Sequence, residues 1–413
     1  MFRCVNGING LYPVLLIYFA NRLQELRKEF MTGRKVISIY FILYMGFASW
    51  RVFYNVYLEE NDFSGTQIGI INALIQASLF VVVPIWGYIA DKRGIRPTLR
   101  IAVFASAVLL LGLGYVINFW WLIAYIFLLT LFHHPLGPLI DALAVQFSQS
   151  DKKYNYGNMR LWGSFGWAVA SIIGGYLFMK MSLKIVFPVT SFLFLVTLIF
   201  LRTPRKSTTI LYRPHFEKIR FKELRSNSAL LIFLAILFLY GIASSPVNAY
   251  MNLYFSELGA DHSMIGIAYT VQSLSELPFF IIGNRLLKRF GAKLVIIIAM
   301  FAMIIRLLAY AFIPTIPVAL GICALQGISL SFFLVGAVDY LQSQLPKSRH
   351  ATAQSLLWGL YFGLGHTIGN LIIGILKDMQ GMVGVMGIFT AFTCFIFLLT
   401  SFDFTWQLRK RKG

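Results

Sequence analysis

Acidic residues are scarce in this chain: 16 Asp and Glu stand against 36 Lys and Arg in 413 residues, a formal net charge of +20. Charged residues of both signs make up only 13% of the sequence, too few to cover a soluble globule of this length. Cysteine is nearly absent. Cys4, Cys323 and Cys394 lack metal-ligand spacing and build neither a disulfide framework nor a cluster. His133 and His134 are adjacent, and neighbouring helical residues point about 100° apart, which argues against shared ligation. Also missing is any nucleophile, base and orienting group converging on one face. The expectation is no enzyme, no cofactor beyond a coupling proton, and no metal.

What the chain has in abundance is apolar surface: 58% hydrophobic and 16% aromatic residues. Twelve runs of spanning length occur at 36–58, 66–90, 98–117, 119–146, 158–179, 183–201, 227–255, 263–287, 293–312, 316–344, 351–377 and 382–402. The predicted fold class is all-α, a polytopic membrane protein of twelve transmembrane helices in two six-helix bundles, 36–201 and 227–403. A basic segment, 202–226, joins them and a basic tail, 404–413, follows. Thirty of the 36 basic residues fall before the first span, in alternate loops, in the joining segment or in the tail. Inner loops of membrane proteins collect Lys and Arg, so both termini are expected in the cytoplasm and the whole in the cell membrane. The basic excess then needs no nucleic acid; the expected partners are the lipid bilayer and a small solute, with the chain a monomer. The run 11–20 is too short to span and no small-residue cleavage site follows. Residues 1–35 are read as an extension, with Met31 the expected start.

Polar residues inside the spans mark the function. In YGNMRLWGSFGWAVASIIGG, Tyr156 to Gly175, helical spacing puts Arg160, Gly163, Trp167, Ser171 and Gly174 on one stripe. A buried Arg is costly in lipid, roughly 2.5 to 3.5 kcal/mol on insertion scales, so that face looks at a partner or at water. Asp141, in the preceding span, lies at similar depth across an antiparallel hairpin and is the expected partner. Snorkelling of Arg160 to the interface is the ordinary alternative. Above Asp141, Pro135, Gly137 and Pro138 interrupt the helix and free carbonyls that can line a cavity. Arg51, Glu276 and Arg306 also lie within spans, and with Asp339 they give three charges of each sign, a balance that favours internal pairing. Arg51 could instead take a substrate carboxylate or phosphate. Asp339, near an inner end, could be merely solvated, and His366 merely packed.

The loops after the second span of each half look alike, GYIADKRGIRPTLR from Gly87 and GNRLLKRFGAKLV from Gly283, as in a duplicated bundle. Gly87, Asp91, Lys92, Gly94 and Arg96 fit G-x-x-x-D-[RK]-x-G-x-[RK], the cytoplasmic-loop signature of the major facilitator superfamily; the second copy is degenerate, with Leu287 at the acid position. PLIDALA (Pro138 to Ala144) and YGNMRLWGSFGW (Tyr156 to Trp167) resemble helices of its lactose permease and phenylpropionate permease branch. That resemblance implies a substrate site at Asp141, Arg160 and Trp167, proton coupling at Glu276 and Arg306, and an inner latch at the loop signature. By the same alignment Gln326 and Ser329 replace a His and an acid of the lactose permease, leaving Glu276, with Asp339 or His366, to couple protons. The function expected is proton-coupled uptake of a small polar or amphipathic solute, a sugar or glycoside first and a nucleoside or aromatic acid next. Substrate-site candidates are Arg51, Asp141, Arg160, Trp167 and Gln326. Efflux of amphipathic compounds and a non-transporting sensor are the rivals.

Overall fold

The computed structural model describes residues 33–150, 153–201, 227–346 and 350–412. The reading of Met31 as the start and the joining segment 202–226 lie outside the described residues. Ten helical stretches are long and apolar enough to cross a membrane. Two of them exceed a bilayer's thickness, and each is broken by a glycine with left-handed φ: Gly291 (φ 77°) within His262–Phe312 and Gly381 (φ 70°) within the last stretch. Dividing these two yields twelve rods, as expected from the apolar runs. We number them α1 (Gly33–Glu60), α2 (Gly65–Arg93), α3 (Ile95–Leu113), α4 (Phe119–Gln149), α5 (Tyr156–Phe178), α6 (Leu183–Phe200), α7 (Ser228–Ala249 with Met251–Glu257), α8 and α9 (His262–Phe312, parted at Gly291), α10 (Ile316–Ser343), and α11 and α12 (350–412, parted at Gly381).

Polar caps start the rods where the apolar runs begin. Ser64 and Gln67 form a reciprocal capping box at α2; Asn118, Asn155, Asn227 and Asp261 cap α4, α5, α7 and α8 with side-chain oxygens, satisfying backbone N–H groups that lipid would leave orphaned. Gly94 (φ 89°) closes the turn from α2 to α3 as Gly291 closes that from α8 to α9, so the degenerate second loop copy keeps the backbone bend of the first.

The first six rods pack among themselves, with α1 against α5 and α6 and α3 against α4 and α6; the last six do likewise. The two bundles meet along α5 with α8 and α2 with α11. At the first seam a Cβ on Gly175 would lie 2.7 Å from the His262 carbonyl, and one on Gly266 3.0 Å from Gly175 Cα, so only glycine permits this approach. The end of the molecule carrying the turns near residues 60, 180, 260 and 380 is sealed across the halves. Asp378 accepts from Gly65 N (2.6 Å), Thr66 N (2.7 Å) and Thr66 Oγ1 (2.6 Å); Lys377 pairs with Glu59 at 2.7 Å; His262 presents Nδ1 to the Phe178 carbonyl and Nε2 to Glu60, both at 3.2 Å. At the opposite end Gly87, Asp91 and Lys92 are exposed.

Candidate functional site

α4 is interrupted where its Pro and Gly fall, between Phe119–His133 and Leu136–Ser150, and His134 Nε2 bonds the Ile75 carbonyl at 2.7 Å there. Two turns further along, Asp141 meets Arg160, with Nε and Oδ1 3.7 Å apart. Tyr40 of α1 donates to the same Oδ1 at 2.6 Å, and the Arg160 guanidinium lies 4.6 Å from the centroid of the Tyr44 ring. Tyr156, first residue of α5, is within reach of both Asp141 and Arg160. About a third of each charged side chain remains exposed, 36% for Asp141 and 37% for Arg160, so the pair presents both a carboxylate and a guanidinium to incoming hydroxyls. The expected hairpin pair is therefore present in the geometry. Trp167 is half-buried two turns further along α5.

In the other bundle a directional chain of polar side chains surrounds Arg306, which is fully buried. Arg306 Nη1 donates to Gln326 Oε1 at 2.5 Å and to Ser329 Oγ at 2.8 Å. Gln326 Nε2 then donates to Asn248 Oδ1 (3.4 Å) and Glu276 Oε1 (3.5 Å). Asn248 Nδ2 faces His366 Nε2 at 3.3 Å, and His366 Nδ1 faces the Tyr361 carbonyl at 2.7 Å. A carbonyl only accepts, so Nδ1 carries the His366 proton and Nε2 accepts from Asn248. Gln326 and His366, read separately from sequence, belong to one network with Glu276 and Arg306.

The bundles are still joined just outside these clusters: Ser273 Oγ donates to the Ser164 carbonyl and Thr270 Oγ1 to that of Ala168, both at 2.9 Å. Glu276 lies one turn beyond Ser273, where the seam parts, with Arg160 and Arg306 both in its electrostatic range. The two clusters thus face one space between the halves.

One expectation needs correction. The three acids and three arginines do not pair off: Asp141–Arg160 is formed, but Arg306 is held by an amide and a hydroxyl, and Glu276 by the same amide. Gln326 intervenes, and only Nη1 of the guanidinium is engaged, by two neutral oxygens, while Nε and Nη2 stay buried without a hydrogen-bond partner. Asp339 stands apart, exposed in an open cleft of about 400 Å³ with Asn284, Gln342 and Trp358, so it does not join the buried cluster. Arg51 has no carboxylate partner among the described residues; its guanidinium lies 5.9 Å from the Trp50 ring centroid, with His133, His134 and Tyr269 in electrostatic range. In the loop signature, Lys92 lies 4.4 Å over Tyr88 rather than against Asp91. Sequence reasoning missed Tyr40, Tyr44, Tyr156 and Asn248. Tyr40 lies at i−4 from Tyr44 on the face of α1 turned to α5, but nothing in the sequence says which aromatic hydroxyl meets the acid.

Twelve membrane rods in two bundles around a shared polar centre define a transporter of the major facilitator type, not an enzyme. The chain belongs to the MFS_1 like family, whose model matches residues 34–397. It is 29% identical over 347 residues to the maltose permease of Geobacillus stearothermophilus, covering 82% of this chain and 86% of that one. It is 27% identical over 342 residues to the uncharacterized transporter YwbF of Bacillus subtilis (strain 168), covering 81% and 82%. The crystal structure of nucleoside transporter NupG superposes with a TM-score of 0.77 at 18% identity, over 90% of this chain and 98% of that one.

Proposed function

We propose that the protein couples proton entry to uptake of a small polar solute, a sugar or glycoside first, across the cell membrane. The observation that carries this reading is the half-exposed Asp141–Arg160 pair, supported by tyrosines and facing Glu276 where the bundles part. A carboxylate and a guanidinium side by side bind several hydroxyls at once, and Tyr44 and Trp167 offer aromatic faces to the apolar side of a sugar ring. The maltose permease relative supports the solute class.

Glu276 is the proton carrier in this reading. Its near partner is the neutral Gln326, with Arg160 and Arg306 in reach; a guanidinium that closes on it favours the charged form, and one that recedes favours the protonated form. Arg306 and His366 position that exchange through Gln326 and Asn248, and Asp339 serves at the cleft as an acid in contact with water. Residues 36–201 and 227–403 are the halves that rock, with 202–226 and 404–413 on the cytoplasmic side. The basic loops put the open end inside, with Gly87, Asp91, Lys92, Gly94 and Arg96 the latch that closes it.

Proteoliposomes with an internal pH reporter test this with maltose, lactose, uridine and phenylpropionate as added solutes. The expected result is internal acidification with a disaccharide, abolished in Glu276→Gln while counterflow of that sugar persists. Counterflow without acidification in the native protein would remove the proton from the mechanism. Binding with no counterflow would make the protein a sensor.

A further inference from the structure

The charges that remain around the central space do not cancel. Among the described residues that space holds Arg51, Arg160 and Arg306 against Asp141 and Glu276, because Asp339 lies out in the cleft. One positive charge is in excess with Glu276 ionised, and two when Glu276 carries a proton. Arg160 has Asp141, and Arg306, fully buried, has two neutral oxygens on Nη1 with Nε and Nη2 unpartnered; Arg51, the one of the three open to the space without any acceptor among the described residues, has only His133, His134 and Tyr269 in electrostatic range. A guanidinium partly withdrawn from water without a partner is unfavourable, and an anionic occupant of the space would relieve that cost.

Arg51 is well placed to be used. It stands at the end of the helix Gly33–Arg51, just before the break in α1. Tyr40, Tyr44 and Arg51 are spaced by four and seven residues and share one face of α1, the face that holds Asp141 and Arg160. Its flanking residues Trp50, Val52 and Phe53 are 2%, 0% and 0% exposed, whereas Arg51 itself is only half-buried. Across the seam it is in electrostatic range of Tyr269, which is seven residues from Glu276 on the same face of α8. Unpartnered donors collect beside it: Trp50 Nε1 and Tyr54 Oη are buried with no hydrogen-bond partner.

We infer that the transported solute carries an anionic group, bound by Arg51, at one end and hydroxyls, bound by Asp141 and Arg160, at the other. Seven helical residues separate Tyr44 from Arg51, about 10 Å, the span of a disaccharide. An acidic disaccharide fits both the length and the missing negative charge. This rests on the central sugar site proposed above and adds the charge of its occupant.

Two matched pairs test it: maltose with maltobionate, and lactose with lactobionate, each acid being its sugar oxidised at the reducing end to a carboxylate. Binding is read from thermal stabilisation of the purified protein and from inhibition of counterflow. The acid of the accepted pair is expected to bind roughly tenfold or more tightly than its sugar. In Arg51→Gln that ratio falls to about one, and in Arg51→Lys most of it survives; Asp141→Asn weakens both members of the pair. Equal binding of sugar and acid by the native protein overturns the inference and leaves the sugar site standing. So does a preference that persists in Arg51→Gln. Failure of all four compounds overturns the sugar site and this inference together. Should Arg51→Gln not fold, the native ratio and Arg51→Lys decide.

Discussion

Asp141 is held by two different kinds of contact, a 2.6 Å bond from the Tyr40 hydroxyl and the longer 3.7 Å approach of Arg160. The short bond fixes which oxygen is turned inward, and the long approach leaves Arg160 free to adjust to a solute. Hydrogen bonds to charged groups are worth about 1.5 to 3 kcal/mol. Tyr40→Phe, which keeps the ring, should therefore weaken solute binding roughly tenfold and also lower the melting temperature. Half-saturation of counterflow measures the first and a detergent melt the second; an unaltered half-saturation would show that the hydroxyl does not set the acid. Asp141 and Arg160 were legible in the sequence because a charge inside a span must find a partner. Tyr40 was not, since an aromatic residue in an apolar run gives no sign of whether its hydroxyl meets a carboxylate or lipid. Exposed Tyr115, at 85%, reads the same in sequence. Arg306 misled for a related reason: its partners Gln326 and Ser329 are neutral, and a search for balancing charge passes over amides.

Helices α5 and α8 meet backbone to backbone at their glycines. A Cβ at Gly266 would fall 3.0 Å from Gly175 Cα and 3.2 Å from the Ser171 carbonyl carbon, and neither can yield without parting the rods. Gly266→Val should leave each bundle folded but hold this seam open. The expected readouts are loss of counterflow, retained sugar binding, and faster reaction of Thr270→Cys with a membrane-impermeant thiol reagent from outside; an unreactive cysteine would show that the seam still closes. At this scale the sequence located the spanning runs to within a few residues, since apolar length is set by the bilayer, except that the last helix runs on through the expected tail to Lys412. It did not reveal the π-helical turns at Gly327–Phe332 and Trp358–Gly365. These turns follow Gln326 and precede His366, and π-turns recur at functional sites. One brings Gly327 N to Ser275 Oγ at 3.0 Å, a tertiary contact that no local pattern encodes.

Over the whole molecule the two halves mirror each other most closely where they clasp. Both α1 and α7 break near the sealed end, after Arg51 and after Ala249, and each break exposes carbonyls that the other half satisfies. Asn55 Nδ2 donates to the Ala249 carbonyl at 2.7 Å, and Asn252 Nδ2 donates to that of Val52 at 2.9 Å; Asn72 supports Asn55 at 3.1 Å. The exchange is reciprocal, as a duplicated fold requires, and it exists only while this end is shut. Opening it exchanges two buried amide bonds for bonds to water, at about 1 kcal/mol each. Such a difference lets a transporter hold one state at rest and still leave it when its solute binds. Asn55→Ala and Asn252→Ala should each shift the resting population toward the form open at this end by roughly fivefold. Because both asparagines also meet at 3.4 Å, the double substitution should shift it by less than the product of the two. Spin-label distances between Asp62→Cys and Gly259→Cys read the population directly. No change in that distance distribution would assign closure to the glycine seams alone, whereas a lengthening that grows from single to double substitution would make the asparagine pair a working part of the gate at this end.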